Sequence, residues 1–361
     1  MAMDNKLSEE AIALLRQLIA TPSFSREEAG TARLIEGFFQ QRGIPVERSG
    51  NNVWARSRHW QEMNPTVLLN SHHDTVKPAA GWQRDPFEPV VEGGALYGLG
   101  SNDAGGPLVA LIAAFLFFCD SRELPFNLIL AATAEEEVSG ANGIASILSE
   151  IPTPKLGIIG EPTQMQLAIA ERGLMVIDAV VRGKAGHAAR DEGVNAIYLA
   201  LEDINWIRQY RFEKVSPSLG PVKATVTQAE AGHQHNVVPD TCRYVIDVRT
   251  QECYTNQEVF DILQQHTRAE LKARSMRLNP SGIPEGHAIV QAARQLGLNT
   301  FGSPTLSDQA LCPFPTVKIG PGDSARSHTA DEFILLSEVE AGINTYIQLL
   351  DTFAGKCAQI G

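Results

Sequence analysis

Three short apolar segments of strand length each run directly into acidic or histidine side chains. They are residues 66–70 (TVLLN), followed by SHHD, residues 126–133 (FNLILAAT), followed by AEEE, and residues 156–160 (LGIIG), followed by EPT. Between them, apolar side chains recur at helical spacing, for example over residues 8–19, and residues 105–119 form an apolar helix. This alternation predicts an α/β fold around a mostly parallel sheet, in which the polar strand ends share one edge.

The pattern of the chain changes after about residue 172. Apolar and polar residues then alternate along strand-length segments, which is typical of an antiparallel sheet covered on one face. After about residue 279 the first pattern returns, with a strand at 316–320 and a final helix near 338–352. We therefore expect a discontinuous α/β domain, residues 1–173 and 280–361, interrupted by an α+β domain at 174–279. In the inserted domain the predicted strands are 174–183, 221–228 and 242–250, and the predicted helices are about 194–209 and 256–273.

Charge and cysteine usage exclude several classes of protein. The 361 residues include 30 basic and 42 acidic side chains, and no basic run could neutralise phosphates, which argues against nucleic-acid binding. The N-terminal MAMDNKLSEE lacks the apolar stretch of a signal peptide, and the apolar run 108–119 is too short to cross a membrane. The five cysteines are far apart without a C-x-x-C motif, so we expect no disulfides and a reducing cytoplasm.

Side chains that bind divalent metals follow four of the predicted strands and precede one helix. Imidazole and carboxylate ligands without thiolate suit zinc, manganese or cobalt. With this many carboxylates, two ions that share a bridging carboxylate are more consistent with the pattern than one ion. The candidates are His72 and Asp74 after the first strand, Asp103 in a glycine-rich loop, Glu135, Glu136 and Glu137 after the second strand, Glu161 after the third, and His328 in the loop 320–328.

The roles of the three consecutive glutamates stay open at this point. Consecutive side chains diverge, so the cluster can supply both a metal ligand and a separate general base. If the chain stays extended, Glu135 and Glu137 share one face and Glu136 points elsewhere.

The order of these motifs resembles one family over nearly the whole chain. H-x-D, G-S-x-D, E-E, G-E-P-T and a late G-P-G…H occur in sequence. This order is similar to that of the acetylornithine deacetylase and succinyl-diaminopimelate desuccinylase family, which are two-zinc amidohydrolases related to aminoacylase and carboxypeptidase G. Stretches such as NSHHDTV, QHNVVPD and GDSARSHTADE further resemble a branch that removes an acetyl or succinyl group from ornithine or citrulline in arginine biosynthesis.

The resemblance implies a catalytic domain like that of zinc peptidases and a specific set of metal ligands. His72 and Glu161 would bind one divalent ion, and Glu137 and His328 the other. Asp103 would bridge both ions. Zinc is the metal that the family implies, with cobalt or manganese as alternatives.

Further roles follow from the same resemblance. Asp74 would orient His72, and Glu136 would be the general base, although the family usually shows Asp-Glu-Glu where this chain has Glu135-Glu136-Glu137. The inserted domain would be a lid through which two chains form a homodimer. Its His187 would reach the partner subunit's site to stabilise an oxyanion.

The resemblance also implies that three residues contact the substrate. Asn236 and Arg249 match lid positions that contact the substrate carboxylate, and Arg172 is a further candidate of this kind. The implied reaction is hydrolysis of an N-acyl amino acid. Two alternatives remain: a dipeptidase or carboxypeptidase with the same site, and a metal-dependent binding protein without turnover.

Overall fold

The computed structural model describes residues 5–357, and these form two compact units. The first unit contains the chain up to Ile169, Ile283–Phe301 and the chain from Ser307 onward. The second contains Ala170–Gly282 and Gly302–Leu306. The sequence analysis expected all of residues 280–361 in the first domain, but the short segment 302–306 is not part of the first unit. It clusters with the second unit, where the Ser303 carbonyl accepts a hydrogen bond from the Arg172 N–H at 3.2 Å.

Eight α-helices and eighteen strands are present among the described residues. The helices are α1 (Asn5–Ile19), α2 (Ala29–Gln40), α3 (Gly106–Phe118), α4 (Ile144–Ile147), α5 (Ala196–Gln209), α6 (Asn256–His266), α7 (Ala288–Gln295) and α8 (Leu336–Cys357). The strands are β1 (Val46–Ser49), β2 (Asn52–Arg56), β3 (Thr66–His72), β4 (Val90–Glu92), β5 (Ala95–Tyr97), β6 (Asn127–Thr133), β7 (Leu156–Ile159), β8 (Leu167–Glu171), β9 (Gly173–Arg182), β10 (Gly186–His187), β11 (Lys223–Ala231), β12 (Val237–Val238), β13 (Thr241–Thr250), β14 (Glu270–Ala273), β15 (Ser281–Gly282), β16 (Thr300–Ser303), β17 (Thr316–Lys318) and β18 (Phe333–Leu335).

The sheet of the first unit is mixed, with a parallel centre. Its strands follow the order β1-β2-β6-β3-β7-β17-β8. The four central strands β6, β3, β7 and β17 are mutually parallel, whereas β1, β2 and β8 pair with their neighbours in the antiparallel direction. Strands β3, β6 and β7 are buried along their whole length, as expected for strands covered on both faces. The predicted α/β class is confirmed.

Helix α3 forms the centre of the core in the first unit. It packs against α1, α8 and β3, and almost all of its side chains are buried, which explains why it is apolar on every side. By length and composition, residues 101–118 could cross a membrane, but 83% of that segment is buried inside the protein. Residues 101–105, just before α3, form a turn in which Asp103 and Ala104 have non-helical backbone angles.

The second unit is a four-stranded antiparallel sheet with helices on one face. Its strands follow the order β11-β13-β9-β14, and buried residues alternate with partly exposed ones along β9 and β13. Helices α5 and α6 pack on the sheet. The predicted helix over 256–273 is wrong at its end: α6 stops at His266, and residues 270–273 form β14. These residues take the strand conformation because they pair with the free edge of β9, a contact that overrides local preference.

Candidate metal centre

The parallel strands of the first unit bring the candidate ligands together. His72 is the last residue of β3, and Glu161 follows the end of β7 by two residues. Glu136 and Glu137 lie in a short 3₁₀ turn after β6, and the loop that carries His328 follows β17. Since all four strands point the same way, their carboxyl ends meet at one edge of the sheet.

Two groups of potential ligand atoms share His72. His72, Asp103 and Glu137 offer atoms within 4.8 Å of one another, and so do His72, Glu136 and Glu161. Asp103 Oδ1 lies 3.2 Å from His72 Nε2, and Asp103 Oδ2 lies 3.7 Å from His328 Nε2. The two oxygens of one carboxylate therefore face two different imidazoles, which is the arrangement that a bridging ligand requires.

The carboxylates of this site are buried, and the positive charges near them are too few to balance their negative charges. Burial and neighbouring negative charges raise the pKa of Glu136 well above its ordinary value and raise the pKa of Glu161 to about 8. Burial also raises the pKa of Glu137, although its hydrogen bond with His328 opposes this. The same hydrogen bond, with His328 Nε2 2.9 Å from Glu137 Oε2, raises the pKa of His328 to about 9.

This donor set fits divalent cations. A group of buried carboxylates is costly unless cations compensate its charge. Burial alone would lower the pKa of His72, but hydrogen bonds with Asp103 and Asp74 raise it well above the ordinary value. Protons and metal ions compete for the same atoms, so we expect metal binding to release protons.

The backbone geometry separates the three glutamates. Glu135 has a left-handed φ of 55°, and residues 136–138 form the 3₁₀ turn, so the chain is not extended here and the facing pattern of extended backbone does not occur. The Glu135 carboxylate accepts hydrogen bonds from the Asn142 backbone N–H at 3.3 Å and side-chain amide at 2.9 Å. Glu136 and Glu137 each belong to one of the two ligand groups instead.

Asp74 connects the end of β3, at His72, to the 3₁₀ turn that contains Glu136 and Glu137. Its buried carboxylate accepts hydrogen bonds from the N–H groups of Glu136 at 3.1 Å and Glu137 at 3.2 Å, and from the Ser25 hydroxyl at 2.7 Å. His72 Nδ1 lies 3.0 Å from the Asp74 carbonyl oxygen and 3.5 Å from its carboxylate. Burial would raise the pKa of Asp74, but its hydrogen bonds with His72 and Ser25 lower it overall.

Glu332 is a buried residue of the site that the sequence analysis missed. Its carboxylate accepts hydrogen bonds from the N–H groups of Gly100 at 3.2 Å, Asn102 at 2.8 Å and Asp103 at 2.9 Å. Burial and the negative charge of Asp103 raise the pKa of Glu332 to about 8. Its position four residues after His328 was the one signal that the sequence offered. A single glutamate before a strand has no local pattern that identifies it as the acceptor of three backbone hydrogen bonds.

Asp308 is a second buried carboxylate that the sequence did not reveal. It accepts hydrogen bonds from the Asn70 side chain at 2.9 Å and from the Thr133 hydroxyl at 2.8 Å, and so links β3 to β6. Burial raises the pKa of Asp308 to about 6.

Two predicted substrate-site residues lie side by side in the second unit. His187 in β10 pairs with Val237 in β12, and the Ala188 N–H donates to the Asn236 carbonyl at 3.0 Å. The side chains of His187 and Asn236 are both exposed. His187 Nδ1 accepts a hydrogen bond from the Ala189 N–H at 3.1 Å, which leaves Nε2 directed away from that contact.

The two arginines predicted to contact substrate already have partners in the second unit. The Arg249 guanidinium forms a two-point contact with the Asp247 carboxylate, with distances of 2.8 and 3.0 Å. Arg172 is buried and donates to the carbonyl groups of Leu219 and Pro221. Burial lowers the pKa of Arg172.

Comparisons with known proteins identify the family of this chain. A family model described as peptidase family M20/M25/M40 matches residues 68–352. The chain belongs to the M20 peptidase family. The M20 chain is 30% identical to the acetylornithine deacetylase of Proteus mirabilis, covering 95% of this chain and 96% of the relative. It is 24% identical to succinyl-diaminopimelate desuccinylase 2 of a Ruegeria species, covering 97% of each.

Two solved structures share the fold of this chain. The aminopeptidase PepT of Bacillus cereus superposes with a TM-score of 0.74 at 20% identity, covering 96% of this chain and 99% of that one. A dinuclear metal-binding peptidase of the M20 family from Bacillus subtilis superposes with a TM-score of 0.72 at 18% identity, covering 96% and 98%. The prediction of a metal-dependent amidohydrolase is therefore confirmed for this M20 protein.

Proposed function

We propose that this M20 protein hydrolyses the Nα-acyl amide of an amino acid. The proposed reaction is deacetylation or desuccinylation of N-acyl-L-ornithine or N-acyl-L-citrulline, as a step in arginine biosynthesis. The observation that carries this proposal is the pair of ligand groups around His72, with the two oxygens of Asp103 facing His72 and His328. The similarity to enzymes named acetylornithine deacetylase and succinyl-diaminopimelate desuccinylase supports an acyl amino acid as substrate.

Five residues are proposed to hold two divalent cations. His72 and Glu161 would bind one ion, Glu137 and His328 the other, and Asp103 both. Two bound cations, zinc or alternatively cobalt or manganese, would polarise the scissile carbonyl and make a water molecule more acidic. The ligand atoms are imidazole nitrogens and carboxylate oxygens, which is the chemistry that these metals prefer.

Glu136 is proposed as the general base. Its Oε2 lies 3.9 Å from His72 Nε2, inside the ligand group, and its raised pKa brings it closer to the range in which a carboxylate can both accept and return a proton. The Asp74 carboxylate fixes the Glu136 backbone through its N–H group. Glu136 would take a proton from the attacking water and deliver it to the leaving amine.

Substrate recognition is proposed for residues of the second unit. His187 would reach the site of a partner subunit and stabilise the oxyanion there. Asn236, the residue before β12, and Arg249 would contact the substrate carboxylate. The guanidinium of Arg249 offers the forked geometry that a carboxylate matches, as its contact with Asp247 illustrates. Arg172 is proposed as a further contact of this kind, through guanidinium N–H groups that do not donate to the Leu219 and Pro221 carbonyls.

We also propose a homodimer formed through the second unit. Helix α5 exposes Ile197, Tyr198 and Leu201, which are large apolar side chains on one helix. Among the described strands, β11 pairs only with β13, so its other edge is open. An apolar helix face beside an open strand edge fits a second copy of the chain.

A cytoplasmic location is also proposed, because all five cysteines are free thiols.

The test compares four classes of substrate with one enzyme preparation. Metal content is measured first, and then hydrolysis of acetylornithine, acetylcitrulline, their succinyl analogues and dipeptides. We expect two ions per chain and the highest kcat/KM for an acyl amino acid. A preference for dipeptides would establish the peptidase alternative, and two bound ions without any turnover would establish the binding protein.

The role of Glu136 is tested with Glu136→Gln, which keeps the side-chain volume. We expect kcat to fall by about 10²- to 10⁴-fold, because the proton transfer is lost, while both ions stay bound. Glu62→Gln, at an exposed position, is the matched control. If the Glu136 variant keeps activity within tenfold of the unmodified protein, Glu136 is not the base.

A further inference from the structure

One side chain connects the two loops that carry Asp103 and His328. Asn102 is completely buried, and its amide nitrogen donates to the Asp323 carbonyl at 3.0 Å. Its amide oxygen accepts from the Asp323 N–H, also at 3.0 Å. These two reciprocal hydrogen bonds between Asn102 and Asp323, here called the Asn102 clamp, join the turn before α3 to the loop after β17.

The neighbouring residues fix the conformation of the Asn102 side chain. Its own N–H is held by the Glu332 carboxylate, and its amide nitrogen lies 3.4 Å from the Ser327 hydroxyl. Gly322 has a φ of 90°, and a Cβ at this position would collide with the Asn102 amide oxygen. The chain therefore has glycine at 322 both for its backbone conformation and because the clamp occupies the space of a side chain.

The metal ligands differ in how firmly the fold holds them. His72 is the last residue of a fully buried central strand. His328 lies in a loop, its side chain is 53% exposed, and its hydrogen bonds at 2.9 and 3.2 Å are to Glu137. The position of His328 relative to Asp103 thus depends on what joins their two loops, and the Asn102 clamp is a direct connection.

We propose that Asn102 is a positioning residue that couples the two ion positions, and that its loss selectively weakens the ion held by Glu137 and His328. This inference rests on the proposed two-ion centre. Asn102 acts through the backbone of Asp323 and carries no ligand atom for either ion. For the other ion, His72 and Glu161 lie at strand ends, and the shared ligand Asp103 keeps its N–H contact with Glu332, so this ion does not depend on the clamp.

Other contacts keep the His328 loop folded when the clamp is removed. The Gln164 N–H donates to the Gly322 carbonyl at 2.7 Å, and the Gln164 side chain donates to the Asp323 carboxylate at 2.6 Å. The loop would therefore stay attached to the segment after β7, and at Glu332 to the Asp103 turn, but its part around Asp323 would no longer be joined to that turn. The expected consequence is a displaced ligand in a folded chain.

The experiment measures zinc binding by titration calorimetry and metal content after dialysis for the full chain and Asn102→Ala. We expect the first zinc ion to bind with an affinity within threefold of the unmodified protein. The second ion should bind about 10- to 100-fold more weakly, the usual range when a residue that supports a ligand is removed. Ser324→Ala, an exposed position in the same loop, is the control and should leave both affinities unchanged.

A second variant addresses the clamp from its other side. Gly322→Ala should also weaken the second ion, and the effects of Gly322→Ala and Asn102→Ala should be much less than additive, because the added methyl group has no amide to displace in the Asn102 variant. Backbone strain at position 322 is present in both backgrounds and cancels in this comparison. The cycle also provides the test if Asn102→Ala alone lowers stability.

Three outcomes would overturn the proposal. If both ions weaken equally, or neither weakens, Asn102 does not couple the two positions. Fully additive effects of the two variants would show that the clamp is not the contact responsible. If the unmodified protein binds fewer than two ions, the proposed two-ion centre fails, and the coupling fails with it.

Discussion

Replacing Glu161 with glutamine should stabilise the metal-free protein and at the same time weaken metal binding. The Glu161 carboxyl is buried beside Asp103 and Glu137, and these surroundings raise its pKa from 4.5 to about 8. Its negative charge is therefore unfavourable in the folded chain unless a cation is bound. Glutamine has almost the same shape but no charge, so it removes the cost together with the ligand.

The sign and size of the effect follow from the pKa. The folded chain keeps the Glu161 proton at pH values where the unfolded chain has lost it, so stability falls as the pH rises from about 4.5 to about 8. At about 1.4 kcal/mol per pH unit, this difference corresponds to at most about 5 kcal/mol. Because burial also raises the pKa of the neighbouring Glu137, a proton held there can offset part of this cost, and we expect a gain of about 2–4 kcal/mol for the variant at pH 8.5.

Urea unfolding in the presence of a chelator measures this gain. The variant should be more stable than the unmodified protein at pH 8.5, and the difference should nearly disappear at pH 4.5, where both side chains are neutral. Zinc affinity should fall in the same variant. Glu340→Gln, at an exposed position of α8, is the control. A variant that is equally or less stable at pH 8.5, or that gains as much at pH 4.5, would refute the reasoning.

Three further variants test the surroundings of the site and the assembly. Asp74→Asn places an amide group against two N–H donors, so we expect zinc affinity to fall about 10- to 100-fold, measured by calorimetry; unchanged affinity would contradict this. Gly140→Ala brings a methyl group into the Glu135 carboxylate and should lower the free energy of unfolding by about 1–3 kcal/mol in urea, and a neutral effect would show that the turn relaxes freely. Tyr198→Glu places a charge on the apolar face of α5 and should convert a dimer to a monomer in light scattering, and a persistent dimer would exclude this face.

The surroundings of Glu161 also show which features of the site could be predicted from the sequence. His72, Glu161 and the glutamates after β6 each follow a buried apolar segment, and the segments were identified from composition alone. Parallel strands place their carboxyl ends together whatever their order in the sheet, so the sequence predicted that these side chains would meet. Which glutamates join the two groups of potential ligand atoms depends on the left-handed conformation of Glu135, and no pattern of residues predicts that conformation.

The connections that hold the ligands in place could not be predicted in the same way. Glu332 contacts the Asn102 N–H across 230 residues, and Asn102 contacts Asp323 across 221 residues. A hydrogen bond between such distant positions leaves no periodicity in either segment. The end of α6 shows the same limit, since residues 270–273 become a strand through pairing with β9.

The sequence by itself determined the class of fold and the kinds of ligand atom, because apolar periodicity and the chemistry of histidine and carboxylate are properties of local segments. Only the tertiary structure decided which oxygen of Asp103 faces which histidine and which buried side chains hold the loops. Those choices depend on distances of a few ångströms between segments far apart in the chain. Such distances exist only after the core has packed.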